Sequence, residues 1–503
     1  MLKKDRIVCW LCLAVVLLMS PFIICETSPL YQTPNPDNAI FLSMGKAIAD
    51  GQTPYVDVSE NKGPLFFLLM AIPQMILPGT TGVYILQTVM LLAYCWLVMH
   101  MARWLAPDWD HPLVMILPVM WCVWNYGGQN FCEEYDRFFT LIGMAVLIRA
   151  YMGMQKAEKW CAFVHGICLT AVLLIKMSDI ITIGVTTLFC LHFVIRMRRN
   201  IWLAALRFLA GVMVVCVPVF AYLASVGAVD AMLREYLLNN IIHVVVGKNV
   251  GFWESRMYII RSSYGEHSIF PVVLMAVALI CSGLLKPRRL RTEMEARLHV
   301  YAAAAAVSSL LVAYVASTGF KQHLMLGQLT EMLAILILLR TIAQLLQDRG
   351  WLAATLRGKR LATLLASVLF LVPWGVSHAD DAFVWTPQNQ AWVEYMAEFE
   401  SDIEDAQSVY TIGVTPQWYW HNGIQPAYRY YNLRGFIEDN VGIGLAEAFE
   451  KWLEANPVEV WVISGEIDDY RNILTDDTLE FMHSHYEYYS ESSDGTYKLL
   501  RLI

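Results

Sequence analysis

The sequence predicts a mostly α-helical protein, a polytopic transmembrane bundle followed by a C-terminal α/β domain. Hydrophobic residues make up 57% of the 503 residues and charged residues only 16%, whereas soluble domains average about 25% charged residues. The apolar residues occur in blocks of about 20, the length at which a helix crosses a bilayer. The polar C-terminal part, 380–503, holds 23 acidic and 6 basic residues, against 21 and 30 in the rest. We therefore predict a transmembrane domain over 1–379 and an acidic soluble domain over 380–503.

The first apolar run, Ile7–Cys25, follows three basic residues and resembles a secretory signal peptide. It is long for a signal peptide and no small-x-small cleavage site follows it, so we interpret it as an uncleaved first span. Ten further apolar runs bring the predicted spans to eleven. They cover 83–102, 112–125, 138–153, 160–177, 180–196, 207–226, 268–285, 298–317, 324–344 and 361–379. Gly63–Leu77 is also apolar, but it is short and bounded by prolines. This favours an interfacial or re-entrant helix, with a twelfth span as the alternative.

The distribution of Lys and Arg over the loops predicts the orientation of these spans. Clusters such as RMRRN and KPRRLR fall in alternate loops, and the positive-inside rule then places the N-terminus in the cytoplasm. With eleven spans, residues 380–503 lie on the extracytoplasmic side of the plasma or inner membrane. The net charge of −17 of this domain agrees, because the inner leaflet is anionic. The basic residues are scattered through short loops, which excludes nucleic acid as a partner.

The acidic domain has the pattern of a small α/β fold. Residues 408–414 and 458–464 are apolar and rich in β-branched residues, so we predict two buried strands. GLAEAFEKWLEANP between them predicts an amphipathic helix that ends at Asn456-Pro457. YEYYS and TYKLLRL flank SSDG and predict a terminal strand pair. None of the eleven cysteines lies in this domain. Almost all lie in apolar runs, where Cys behaves as a small hydrophobic residue.

The first predicted outer loop concentrates ionisable residues at the membrane surface. Asp37 begins a short helical pattern that places Phe41, Met44 and Ile48 on one face, and Gly51 ends it. Four polar residues then precede the next apolar segment, namely Tyr55, Asp57, Glu60 and Lys62. The simplest interpretation of Asp37 is a solvated acid that the helix dipole favours.

Other ionisable residues face the same predicted compartment. Glu133 and Glu134 adjoin the start of a span. Two carboxylates at such an apolar boundary cost free energy, so we expect them to have a function. Lys176 lies at a span end near Asp179, and His323 follows in TGFKQHLML. Each has a plain explanation as a helix-start or interfacial residue. Taken together, these residues place cations that could bind a phosphorylated lipid headgroup on the same side as carboxylates that could act as a general base.

Two motifs resemble the GT-C glycosyltransferases. Asp37, followed by G-x-x-P-Y-x-D (Gly51–Asp57) and K-G-P-L (Lys62–Leu65), is similar to their first loop. The likeness is greatest to the bacterial branch with RgtA/B/C/D-like, aminoarabinose and protein-mannosyl transferases. The E-E-Y of Glu133–Tyr135 resembles the acidic second loop. The resemblance implies a polyprenyl-phosphate-linked sugar donor, an inverting displacement and an outward-facing site in the membrane.

The resemblance also implies roles for individual residues. Asp37 would be the general base, and Glu134 or Glu133 would orient the acceptor or help to hold a divalent cation. The donor phosphate would bind Lys62, with Lys176 and His323 as further candidates, and Tyr55 and Asp57 complete the first-loop motif. Some relatives have an acid directly before the lysine. Asn61 stands there in this chain, which leaves a metal open.

Three other functions remain open on the sequence. A transporter or flippase of lipid-linked glycans would need polar residues deep in its spans and broken helices. A lipid-linked glycan polymerase or ligase would need a large outer loop rich in Arg and His, whereas 227–267 is only modestly basic. A structural anchor for the acidic domain would need neither Asp37 nor Lys62. The acceptor, whether envelope glycan, glycolipid or protein, is not encoded in a recognisable motif.

Overall fold

The computed structural model confirms the predicted fold class, a polytopic helical membrane protein with a small C-terminal sheet domain. It describes residues 3–30, 34–105, 112–124, 128–246, 293–316, 325–348, 398–433 and 444–503. Two predicted spans (268–285 and 361–379), His323 and the predicted domain boundary lie outside these residues. The boundary and the count of eleven spans stay predictions.

Helices occupy the other nine predicted spans. The helices of this part are α1 (Lys3–Ile23), α2 (Pro36–Ala49), α3 (Pro64–Ile76), α4 (Thr80–Leu105), α5 (Leu113–Trp124), α6 (Cys132–Tyr151), α7 (Gln155–Ile175), α8 (Ile180–Arg196), α9 (Ile201–Ser225), α10 (Val229–Met232), α11 (Asn239–Val246), α12 (Glu293–Ala316) and α13 (Met325–Asp348). A 3-10 turn, Met177–Asp179, joins α7 to α8, and a π-helical turn, Leu233–Leu238, joins α10 to α11. Among the described residues, five segments are long and apolar enough to cross a membrane. These are Lys4–Ile23, Thr80–Leu105, Gln155–Ile175, Met177–Arg196 and Ile201–Ser225.

The chain divides into two compact units. The first contains the described residues within Met1–Cys25, Tyr84–Phe220 and Gly251–Val384. The second contains those within Glu26–Val83, Ala221–Val250 and Trp385–Ile503. Three segments that are distant in sequence, including the first predicted outer loop and the C-terminal domain, therefore share the second unit.

The first unit is a bundle of apolar helices. Its main core contains buried side chains such as Cys95, Met144 and Leu333, and a smaller cluster surrounds Val172. Arg137 on α6 is fully buried, and its guanidinium stacks 5.1 Å from the ring centroid of Tyr94. That contact stabilises a cation that would otherwise be costly in an apolar core.

Helices α2 and α3 pack closely in the second unit. The predicted apolar face of α2, Phe41, Met44 and Ile48, is buried, and Phe41 meets Phe66 of α3 edge to face at 4.9 Å. A Cβ atom added to Gly45 would lie 2.6 Å from Met70 Cβ on α3, so only glycine permits this approach. Helix α3 has only 13 residues, which is short for a span and agrees with the predicted interfacial or re-entrant helix.

The C-terminal domain confirms the predicted α/β pattern. Its strands are β1 (Val409–Ile412), β2 (Val460–Ser464), β3 (Tyr486–Glu491) and β4 (Tyr497–Leu502), and its helices are α14 (Glu400–Ile403), α15 (Gln417–Asn422), α16 (Leu445–Ala455) and α17 (Asp476–His485). The sheet order is β1-β2-β4-β3, with β1 parallel to β2 and β4 antiparallel to both neighbours. Tyr410, Phe449 and Trp461 form its aromatic core, which explains why the apolar runs of the sequence predicted these elements.

Candidate active site

Asp37 lies in the first turn of α2, as predicted. Asn35 caps this helix, since its side-chain oxygen accepts a hydrogen bond of 2.9 Å from the Asn38 amide, and Pro36 occupies the first helical position. The Asp37 side chain is exposed, and the described residues provide it with no hydrogen bond. Its carboxylate is therefore held by a rigid helix start and is open to a ligand.

Glu26 supports this helix start, and the sequence reasoning missed it. Its buried carboxylate accepts hydrogen bonds from the Asn35 amide (2.8 Å), Asn35 Nδ2 (2.7 Å) and Asn38 Nδ2 (3.2 Å). Burial raises the pKa of Glu26 to about 7, the asparagine hydrogen bonds oppose the rise, and the charge of Asp37 adds to it. The available signal was an acid directly after the first apolar run.

Lys62 lies close to α2. Its ammonium donates to Asn61 Oδ1 at 2.7 Å, lies 3.6 Å from the Glu60 carboxylate and stands 5.7 Å from the centroid of the Phe41 ring. Burial raises the pKa of Glu60, Lys62 opposes the rise, and Asp37 adds to it. Phe41 is four residues after Asp37 on α2, so the Lys62 ammonium lies beside the same helix that carries Asp37.

Tyr55 and Asp57 shape the loop that carries Lys62. Tyr55 is buried with a left-handed backbone, φ 65°, and its hydroxyl donates to the Lys62 carbonyl at 2.7 Å. Asp57 is exposed and accepts a hydrogen bond of 2.7 Å from the Thr53 amide. In this structure these motif residues fix the backbone before Lys62.

The second predicted group, Glu133, Glu134 and Lys176, lies in the first unit. Glu133 and Glu134 occupy the first turn of α6 and are buried rather than hydrated. The Lys176 ammonium donates to Glu133 Oε1 and lies 3.9 Å from the carboxylate of Asp179, three residues further along the chain. Glu134 instead accepts hydrogen bonds from Gln87 Nε2 (3.0 Å) and the Gln129 amide (2.8 Å). The two adjacent acids therefore have different partners.

A polar contact in the second unit joins the C-terminal domain to the first loop. Arg429 pairs with Glu235 of the π-helical turn at 3.0 Å, and the Tyr430 hydroxyl donates to the same carboxylate at 2.8 Å. The Ser59 amide donates to the Arg429 carbonyl at 2.7 Å. Asn240 Nδ2 donates to the carbonyl of Asn61 at 3.2 Å. The residues directly before Lys62 are thus held by both other segments of this unit.

Among the solved structures that this chain resembles, one is similar over almost its full length. It is the crystal structure of ArnT from Cupriavidus metallidurans bound to undecaprenyl phosphate, with a TM-score of 0.56, 12% identity and 97% of each chain covered. No protein-family model and no curated protein sequence matches the chain. The likeness shows that the chain shares the fold of that structure, as the motifs predicted, and at this identity it shows the fold alone.

Proposed function

We propose that this protein is a membrane glycosyltransferase that uses a polyprenyl-phosphate-linked sugar donor. The sugar would pass, with inversion, to an acceptor on the extracytoplasmic side, an envelope glycan, glycolipid or protein. The observation that carries the proposal is the placement of Lys62 beside the helix that carries the exposed Asp37, with its ammonium 5.7 Å from the ring centroid of Phe41, four residues after Asp37. The fold supports it, because the structure of similar fold was solved with a polyprenyl phosphate bound.

The proposed reaction transfers one proton, from the acceptor to Asp37, and releases one leaving group, polyprenyl phosphate. Asp37 accepts the proton of the acceptor hydroxyl group while the oxygen of that hydroxyl forms a bond to the anomeric carbon of the sugar. The bond between that carbon and the phosphate oxygen breaks, and polyprenyl phosphate leaves with the electron pair. Lys62 stabilises the charge that develops on this phosphate. Its ammonium lies beside α2, where it donates to Asn61 Oδ1 at 2.7 Å and is 3.6 Å from the Glu60 carboxylate.

The second group has a supporting role in this proposal. Glu134 orients the acceptor, and Lys176 and His323 remain further candidates for the phosphate. Glu133 already receives the Lys176 ammonium, and Glu134 receives two amide donors. Because Glu133 already pairs with a lysine and Glu134 already accepts two amide hydrogens, we assign no divalent metal ion to these two acids.

The test is release of polyprenyl phosphate by the purified protein. The protein would be incubated with a panel of polyprenyl-phosphate sugars and with glycan, glycolipid and protein fractions of the envelope as acceptors. We expect one donor to yield polyprenyl phosphate in proportion to glycosylated acceptor. The absence of release from every donor, by protein that is folded and inserted, would contradict the proposal.

Buried charges in the first unit favour a flippase of lipid-linked glycans as a second candidate. Asp136, Arg137 and Asp179 are fully buried among apolar helices, and such residues often mark transport pathways. A flippase moves its substrate without cleaving it. Proteoliposomes loaded with a labelled polyprenyl-phosphate sugar separate the two functions, because transbilayer movement of an intact lipid indicates the flippase and cleavage indicates the transferase.

A further inference from the structure

Three buried side chains outside the candidate active site converge within the first unit. They are Cys161 and His165 on α7 and Cys190 on α8. The two sulfur atoms and one of the two imidazole nitrogen atoms all lie within 4.8 Å of one another. Cys161 and His165 are four residues apart and so share one face of their helix. The two sulfur atoms are 3.1 Å apart, and Cys161 Sγ is 3.6 Å from His165 Nδ1.

The histidine has the hydrogen bond that a metal ligand usually has. Its Nδ1 lies 2.8 Å from the Cys161 carbonyl, so a proton on Nδ1 donates to that oxygen and leaves the lone pair on Nε2. Nε2 is buried and has no hydrogen-bond partner in the described part of the chain. Metal-binding histidines commonly fix their tautomer through such a bond from the other ring nitrogen to a carbonyl.

We propose that Cys161, His165 and Cys190 form a site for a thiophilic metal ion, with Zn²⁺ as the expected occupant. Two thiolates and a neutral imidazole are soft ligands that zinc and Cu⁺ prefer. Two thiolates also balance the charge of Zn²⁺, which matters in an apolar bundle where a net charge is costly. Tetrahedral zinc holds its sulfurs about 3.8 Å apart at a Zn–S distance of about 2.3 Å, so the two cysteines would separate slightly on binding.

The site would link two helices through three protein ligands, and a non-protein ligand such as water would take the fourth position of a tetrahedral ion. Helices α7 and α8 pack against each other and are joined by the turn that follows Lys176. Cys161 lies six residues from the start of α7 and Cys190 six residues from the end of α8, or about 9 Å along each helix. These ends face the cytoplasm in the predicted topology, where thiols stay reduced and can bind metal. The inference is independent of the proposed glycosyl transfer.

The experiment measures metal in the full-length protein. The protein would be purified in detergent through an affinity tag without histidines, and zinc and copper would be determined by mass spectrometry. We expect about one ion per chain, lost in Cys161→Ala and Cys190→Ala. Cys168→Ala is the matched control, since Cys168 is equally buried two turns along α7 and lies outside the cluster, and it should keep the metal.

A second measurement keeps the proposal falsifiable if a variant does not fold. A membrane-permeant chelator should lower the Tm of the wild type and of Cys168→Ala, and Co²⁺ added afterwards should give a thiolate charge-transfer band in both. Wild-type protein with far less than one ion per chain, or equal metal in Cys161→Ala and the control, would overturn the site. A disulfide between Cys161 and Cys190 in the purified protein would also overturn it.

Discussion

Asp37 and Asp50 lie at opposite ends of α2, and both side chains are exposed. Only Asp37 has the proposed role of general base. Asparagine keeps the size and hydrogen-bonding capacity of the side chain at a helix start but takes no proton. We expect Asp37→Asn to remain folded and inserted and to lose about 10²–10⁴-fold in turnover. Glu134→Gln is the companion variant, with a large loss that need not be equal.

The measurement is product formation at matched amounts of inserted protein. Asp50→Asn is the control and should keep wild-type turnover, because Asp50 pairs with Lys46 at the far end of the helix. Wild-type turnover by Asp37→Asn would remove this residue from the mechanism and would leave the proposed function dependent on the fold.

Lys62 and Lys46 allow a similar comparison for the donor. A charge-assisted contact to phosphate contributes about 1.5–3 kcal/mol, so Lys62→Met should raise the donor KM on the order of tenfold or more and alter the acceptor KM less. Lys46→Met removes an exposed lysine of the same unit that pairs with Asp50, and it should leave both constants near wild type. Steady-state kinetics with donor and acceptor varied in turn would test this, and an unchanged donor KM would exclude the role.

Glu26 gives the stability of the second unit a pH dependence. Its pKa is raised from 4.5 to about 7 on folding, so the folded state binds more protons than the unfolded state between these values. Stability from this group is therefore highest below about pH 4.5 and falls as the pH rises to 7, by at most about 3 kcal/mol. In Glu26→Gln, which resembles the protonated acid, the Tm should fall less between pH 5 and pH 8 than in wild type. Equal falls in both proteins would contradict this assignment.

At the scale of elements, the packing of α2 on α3 depends on one residue. A Cβ at Gly45 would lie 2.6 Å from both Met70 Cβ and Gln74 Nε2 and 2.8 Å from the Met70 carbonyl carbon. Gly45→Ala should therefore force the helices apart and cost about 1–3 kcal/mol, with a lower Tm and a lower turnover as Asp37 moves. Gly184→Ala in α8 is the control. A Cβ there has open space, so the change should be neutral or stabilising by up to about 1 kcal/mol. Equal Tm values for the two variants would disprove the close contact.

The elements that the sequence predicted correctly are those set by local pattern. Strands β1 and β2 and helix α16 follow apolar runs of the right period, and the face of α2 that carries Phe41 is buried as its spacing indicated. Contacts between distant residues were beyond such reasoning. Glu26 supports the start of α2 because the fold brings Asn35 and Asn38 within hydrogen-bond distance of its carboxylate. Cys161 contacts Cys190 because α7 packs against α8. From the hydrophobicity of the neighbouring residues alone, these cysteines were predicted to be ordinary core residues.

At the scale of the whole molecule, the contacts of the C-terminal domain bear on the topology. Gln417 Nε2 donates to the Pro34 carbonyl at 3.0 Å, and the Arg429 carbonyl accepts from the Ser59 amide. Residues that touch lie in the same compartment, so we expect the C-terminal domain and the loop after α1 to lie on one side of the membrane. If α1 crosses the bilayer, the N-terminus lies on the other side, in agreement with the Lys and Arg distribution.

We therefore predict a cytoplasmic N-terminus and an extracytoplasmic C-terminal domain, and a single engineered thiol tests this. Asp494 lies in the exposed turn between β3 and β4, where Asp494→Cys would be open to reagents. A membrane-impermeant maleimide should label this variant in intact cells or spheroplasts. The wild-type protein is the control for labelling of the native cysteines, most of which are buried among the residues that the structure describes. Lys4→Cys should react only after the membrane is permeabilised. Labelling of Asp494→Cys from the cytoplasmic side alone would refute the layout, and it would place the −17 domain and Asp37 in the compartment opposite to the one that the proposed transfer requires.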